Sequence, residues 1–154
     1  MYGFLLCRRD IARCQNDDVK RNEALGVLDQ LHRAQNTFYA GGNSDELRRV
    51  LEPGIQWSVP GRNSVAGIYR GYEEVLEYFV RRRRIARDTF QLRRRDVLVG
   101  EGEKIAAITD GSATIAGVEC RWSTVGLYEI ANARVTACWL LPLDAVQFDA
   151  IWST

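Results

Sequence analysis

Between Asn22 and Ala40 the apolar residues Ala24, Val27, Leu28, Leu31, Ala34 and Phe38 recur at the three- and four-residue spacing of an amphipathic helix, and Gly41-Gly42 stops the pattern. Residues 1–21 show little periodicity and many charges, so they read as an N-terminal extension ahead of one domain over 22–154. Asn43 followed by Glu46 has the form of a capping box for a short second helix, which ends near Leu51 before the breaker Glu52-Pro53-Gly54. Ile55 to Val59 alternates with period two and predicts a strand, whereas Pro60 to Gly67 predicts an irregular loop. A third helix is predicted from Tyr72 to Arg87, burying Tyr72, Val75, Leu76 and Phe79.

The rest of the chain predicts strands over Thr89–Val99, Lys104–Ile115, Val118–Ile130 and Arg134–Leu141, joined by short Gly- or Asn-containing turns. Asp144 is placed to cap a last short helix with Phe148, Ile151 and Trp152. Helices segregated from an antiparallel sheet define an α+β roll, a cone in which the curved sheet wraps the long first helix.

A chain of 154 residues fits a single core, and a formal net charge of +1 gives no overall field to gather a polyanion or a membrane surface. Arg81 to Arg84 point round a whole helix circumference and Arg93 to Arg95 alternate across a strand, so neither forms a nucleic-acid footprint, and no nucleic-acid partner is expected. No apolar run approaches the ~18 residues of a membrane span. Met1 to Cys7 is apolar but lacks a basic leader and is followed at once by Arg8, Arg9 and Asp10, so the expected location is the cytoplasm. Cys7, Cys14, Cys120 and Cys138 form no C-x-x-C, and His32 is the single histidine; neither a metal site nor a cofactor is expected.

Trp57-Ser-Val-Pro-Gly-Arg-Asn-Ser-Val-Ala-Gly67, Tyr69 with Gly71, Asp96-Val-Leu, Tyr128 to Asn132, Trp139 and Asp144 together resemble the nuclear transport factor 2-like superfamily, in particular its SnoaL-like branch, across 22–154. The resemblance implies a cone-shaped pocket for a small apolar ligand and usually a dimer; the superfamily hosts isomerases, cyclases, epoxide hydrolases and dehydratases beside members with no chemistry. The tyrosine and the two acids that the isomerases of that group use fall here at Ala34, Val59 and Gly126, so none is retained. Many relatives carry histidine where this chain has Gly126.

Two-residue turns fix which strand residues share a face. A turn at Ala116-Gly117 sets Lys104 opposite Glu129, Ala107 opposite Gly126 and Thr109 opposite Thr124. Turns at Asn132-Ala133 and Glu101-Gly102 then set Trp139 opposite Gly126, Asp96 opposite Ala107 and Arg94 opposite Thr109. In this register Asp96 faces the pocket as a general base with Arg94 holding it ionised; a structural ion pair at the sheet edge, or a bulge turning both outward, are the competing readings. Gln35 interrupts the apolar stripe of the first helix and joins Trp57, Tyr72, Trp122, Thr124 and Trp139 as a candidate substrate-binding residue, with Trp139 able to fill the space above Gly126. His32 lies on the flank of the stripe and reads as a half-exposed surface group. On the opposite sheet face Ile108, Val125 and Leu127 form an apolar patch that a homodimer would bury.

These features predict a cofactor-independent enzyme acting by proton transfer, in an isomerase, cyclase, dehydratase or hydrolase reaction. The alternative is a non-catalytic ligand-binding or assembly module that keeps the cone without its acid and base.

Overall fold

The computed structural model describes residues 8–100 and 104–153. Its elements are α1 (Arg8–Tyr39), α2 (Asp45–Val50), β1 (Leu51–Val59), β2 (Gly67–Arg70), α3 (Tyr72–Ala86), β3 (Gln91–Val99), β4 (Lys104–Ile115), β5 (Val118–Ala131), β6 (Arg134–Pro142) and α4 (Ala145–Ile151). The strands form one sheet in the order β2-β1-β6-β5-β4-β3, antiparallel throughout except for the parallel β1–β6 pair. The α+β roll is therefore the observed architecture.

The first helix begins at Arg8, well before the Asn22 where apolar periodicity starts. Residues 15–23 are exposed, so that part of α1 is held by its own backbone ladder and only the later turns dock on the sheet. There Val27, Leu28, Leu31, Ala34 and Phe38 are buried as the spacing predicts. Asn36 clamps the helix to the free edge of the sheet, its Nδ2 donating to the Leu92 carbonyl at 2.9 Å and its Oδ1 accepting from the Leu92 N–H at 2.8 Å. That double bond occupies backbone groups an edge strand would otherwise leave open.

Gly67–Arg70, which begins at the last residue of the predicted loop, is an edge strand paired to β1; at four residues it is too short for alternation to reveal it. β1 starts at Leu51, ahead of the predicted Ile55, and its pairing with β6 is interrupted between Leu51 and Gln56, where Pro53 has no N–H to give to a ladder.

The β4–β5 hairpin turns at Ala116-Gly117 with φ of 50° and 80°, a two-residue turn whose twist matches the strands, and the predicted register holds along its whole length. The neighbouring pairs depart from theirs. A bulge between Arg94 and Asp96 inserts one residue into β3, so Asp96 opposes Ile108 instead of Ala107. A second irregularity between Glu129 and Ile130 sets Gly126 opposite Leu140, and Trp139 opposite Leu127. The predicted Glu101-Gly102 turn lies outside the described residues. Among the described residues no helix is long and apolar enough to cross a membrane.

Candidate functional site

The inner face of the sheet, the later turns of α1 and the buried face of α3 enclose a cavity of about 20 Å³, room for about one water molecule. His32 and Gln35 reach it from α1, Arg82 from α3, Trp57 from β1, Leu92 and Thr109 from β3 and β4, Trp122, Thr124 and Tyr128 from β5, and Leu140 from β6. The hydroxyls of Thr109 and Thr124, cross-strand neighbours, lie 3.0 Å apart and satisfy each other. The other polar atoms are less well served: both ring nitrogens of His32, Gln35 Oε1, Trp57 Nε1 and Arg82 Nε are buried without a hydrogen-bond partner. Buried polar atoms normally find partners, and leaving one unpaired costs ~1–3 kcal/mol. Several line this one void, where a water or another polar group would satisfy them.

His32 is buried, at 8 % exposure, which corrects its reading as a half-exposed surface group. Its pKa is lowered from 6.5 to about 4, first because burial disfavours the imidazolium and next because the Arg94 guanidinium repels it; Asp29 opposes both weakly. At neutral pH the ring is uncharged, so one nitrogen carries a free lone pair and the other an N–H. Asp29, one turn earlier on α1, receives Arg94 in an ion pair with Nη1 to Oδ1 at 2.6 Å.

The predicted Asp96–Arg94 pair does not form. The β3 bulge rotates Asp96 to the outer face, where it is exposed and its carboxylate accepts from the N–H of Val97 at 2.8 Å, so it faces no cavity and cannot act as its base. Arg94 keeps its predicted place opposite Thr109, half-buried against α1, and its carboxylate partner is Asp29. Of the predicted substrate-binding residues, Gln35, Trp57, Trp122 and Thr124 converge on the cavity. Tyr72 does not: it is buried near α2, where its hydroxyl donates to the Ser44 carbonyl at 3.3 Å and Arg48 stacks 4.2 Å above its ring. Trp139 does not either, because the register shift in β5–β6 puts it on the outer face, with Lys104 Nζ 5.6 Å from its ring centroid.

The space above Gly126 is filled by Tyr128 instead. A Cβ built on Gly126 would run into the Tyr128 hydroxyl and ring, and the same ring stands edge-on to His32 and to Trp57, each with centroids 6.2 Å apart. Burial holds the Tyr128 hydroxyl and the neighbouring Cys138 thiol in their neutral forms, well above their ordinary pKa values. Gly126→Ala should therefore destabilise the protein by ~1–3 kcal/mol through overpacking, read as a lower urea midpoint at unchanged slope. An unchanged midpoint would mean that Tyr128 does not lie over this glycine.

Sequence reasoning missed Arg82, Asp29 and Tyr128 and set His32 aside. The signal for Arg82 was present: four consecutive arginines on a helix cannot all face water, and Arg82 continues the buried series Val75, Tyr78, Phe79.

A larger depression of about 780 Å³ lies at the end of the sheet near α4, lined by Arg93, Arg95, Asp110, Arg121, Ser123 and Gln147 among others. Asp110 pairs there with both Arg95 at 3.2 Å and Arg93 at 3.5 Å, Arg121 pairs with Glu119, and the depression shares Leu92 and Trp122 with the inner cavity.

No protein-family profile matches the chain. The uncharacterized protein Rv0034 of Mycobacterium tuberculosis is 25 % identical over 126 residues, covering 82 % of this chain and 95 % of that protein. Among solved structures, Bal32a from a soil-derived mobile gene cassette superposes with a TM-score of 0.75 at 23 % identity, over 84 % of this chain and 98 % of that one. A Xanthomonas campestris protein of unknown function with a cystatin-like fold follows at 0.71 and 23 %, over 83 % and 98 %. A protein from Jannaschia sp. CCS1 named as a SnoaL-like polyketide cyclase reaches 0.67 at 13 %, over 86 % and 93 %. The helix-filled cone, the strand order and these superpositions agree: the chain has the NTF2-like, SnoaL-like fold.

Proposed function

We propose that the chain is a cofactor-independent enzyme whose inner cavity performs proton transfer on a small molecule, with His32 as the base. The observation that carries this reading is a neutral, buried imidazole with neither nitrogen bonded, in a void bounded by other unpartnered polar atoms. A lone pair so placed can take a proton from a substrate carbon next to a carbonyl. The electron pair of the broken C–H bond then moves to the carbonyl oxygen, and the imidazolium returns the proton to the product. Burial first and the Arg94 guanidinium second keep the resting ring uncharged, while Asp29, ion-paired to Arg94, opposes them. That a protein of this fold is named a polyketide cyclase fits chemistry of this kind.

The test is deuterium incorporation from D2O into a panel of small ketones and 1,3-diketones, followed by NMR. Incorporation above the buffer rate supports the reading, and none across the panel contradicts it. The second reading, a binding or assembly module without catalysis, draws on the volume of about 20 Å³, far below the ~300–1,000 Å³ of ordinary ligand pockets. A substrate would have to displace side chains that now fill the cone.

The outer sheet face is proposed to bind a second copy of the chain. Ile108, Val125 and Leu127 form a half-exposed patch continued by Trp139, and Leu98 and Leu141 extend it at 57 % and 49 % exposure. Lys104, at the edge of the patch, is already paired with Glu129 at 3.5 Å, so the face suits an apolar, self-complementary contact better than a charged partner. Val125→Glu should give monomers or aggregates in a sedimentation run at micromolar concentration, where the wild type runs as a dimer. A monomeric wild type would contradict the interface.

A further inference from the structure

Among the described residues that line the inner cavity, Arg82 carries the only fixed charge, and it is 4 % exposed. Among the described residues it is paired with no carboxylate. Its Nη1 donates to the Tyr78 hydroxyl at 2.9 Å, and its guanidinium carbon lies 4.5 Å from the ring centroids of both Phe90 and Trp152, 5.3 Å from Tyr78 and 5.9 Å from Tyr39. The rings hold the guanidinium in place without neutralising it, since a π face offers a cation a quadrupole and not a charge. Its Nε, which donates in the plane of the fork, has no partner. A cation taken out of water ordinarily has an anion beside it. Here the fork is anchored, the charge is unmatched, and a polar void adjoins it.

Resting on the reading of this cavity as the substrate site, we propose that Arg82 is its anion-recognition group and that the substrate presents an anionic oxygen there. Two sources share that chemistry: a carboxylate that the substrate already carries, or the enolate oxygen formed when His32 takes a proton from a neutral ketone.

The test titrates formate, acetate and benzoate against formamide, acetamide and benzamide, following the His32 ring and Trp57 indole NMR signals of the wild type and of Arg82→Gln. A resident carboxylate predicts that the anions bind at least ~10-fold more tightly than the amides and that R82Q abolishes the preference. An enolate predicts no carboxylate binding but a fall of at least ~10-fold in wild-type ketone exchange on R82Q substitution, with unchanged ketone affinity. Equal binding of anions and amides, or no carboxylate binding together with unaltered exchange in R82Q, overturns the proposal. If R82Q does not fold, Arg82→Met takes its place under the same criteria. Exchange that needs His32 but not Arg82 would leave the proton-transfer reading standing without this one. Arg82-dependent anion binding in a protein that exchanges no ketone would do the reverse.

Discussion

His32→Gln should lower catalysed ketone exchange by ~10²–10⁴-fold, the contribution a positioned general base makes, while leaving the fold intact. Glutamine keeps a polar side chain at the cavity wall but offers no basic lone pair. The expected loss lies in kcat, because the base acts on a bound substrate. The pH profile follows from the lowered pKa: the imidazole is already deprotonated across the neutral range, so wild-type kcat/KM should be flat there and fall only as pH drops through about 4. A profile breaking near the unperturbed histidine value, or an H32Q variant as active as the wild type, would remove His32 from the chemistry.

Acid should also destabilise the wild type more than H32Q. In the unfolded chain His32 takes up a proton near pH 6.5, whereas the native chain does not until about 4. Between these values the unfolded state binds more protons, so stability contributed by the neutral ring is complete above 6.5 and declines as pH falls towards 4. At ~1.4 kcal/mol per pH unit, the wild type should lose about 3 kcal/mol relative to H32Q across that window. Urea melts of both proteins at several pH values isolate this difference, because every carboxylate titrates in both. Parallel pH dependence in the two proteins would show that His32 is not buried neutral.

Much of the fold was legible because its signals are periodic. The stripe on α1, the two-residue turn at Ala116-Gly117 and the Asp144 cap, whose carboxylate accepts from the Gln147 N–H at 2.9 Å, appear where the residues predict them. Register along β4–β5 was equally legible, which is why Thr124 reaches the cavity as predicted. The candidate site was less so, since β3 and β6, the strands flanking that hairpin, each pair with it through an irregularity that no residue announces. One extra residue at the β3 bulge turned Asp96 from the inner face to the outer. The shift in β5–β6 did the same to Trp139, leaving Tyr128 to occupy the space over Gly126. His32 and Arg82 were obscured for another reason: local periodicity assigns polar residues to the solvent side, and only the packed helices show that these two point inward. A site made of polar groups buried against the pattern is visible in sequence only as an exception to it.

His32 is the chain's single histidine, so whether it is an uncharged ring in a closed cavity is directly measurable. In a tag-free protein labelled at histidine, the ring signals followed from pH 8 to pH 3 report one residue. An enclosed, uncharged His32 predicts a neutral ring at pH 7 and a midpoint near 4. A midpoint near 6.5, with the shifts of a solvated imidazole, would contradict it.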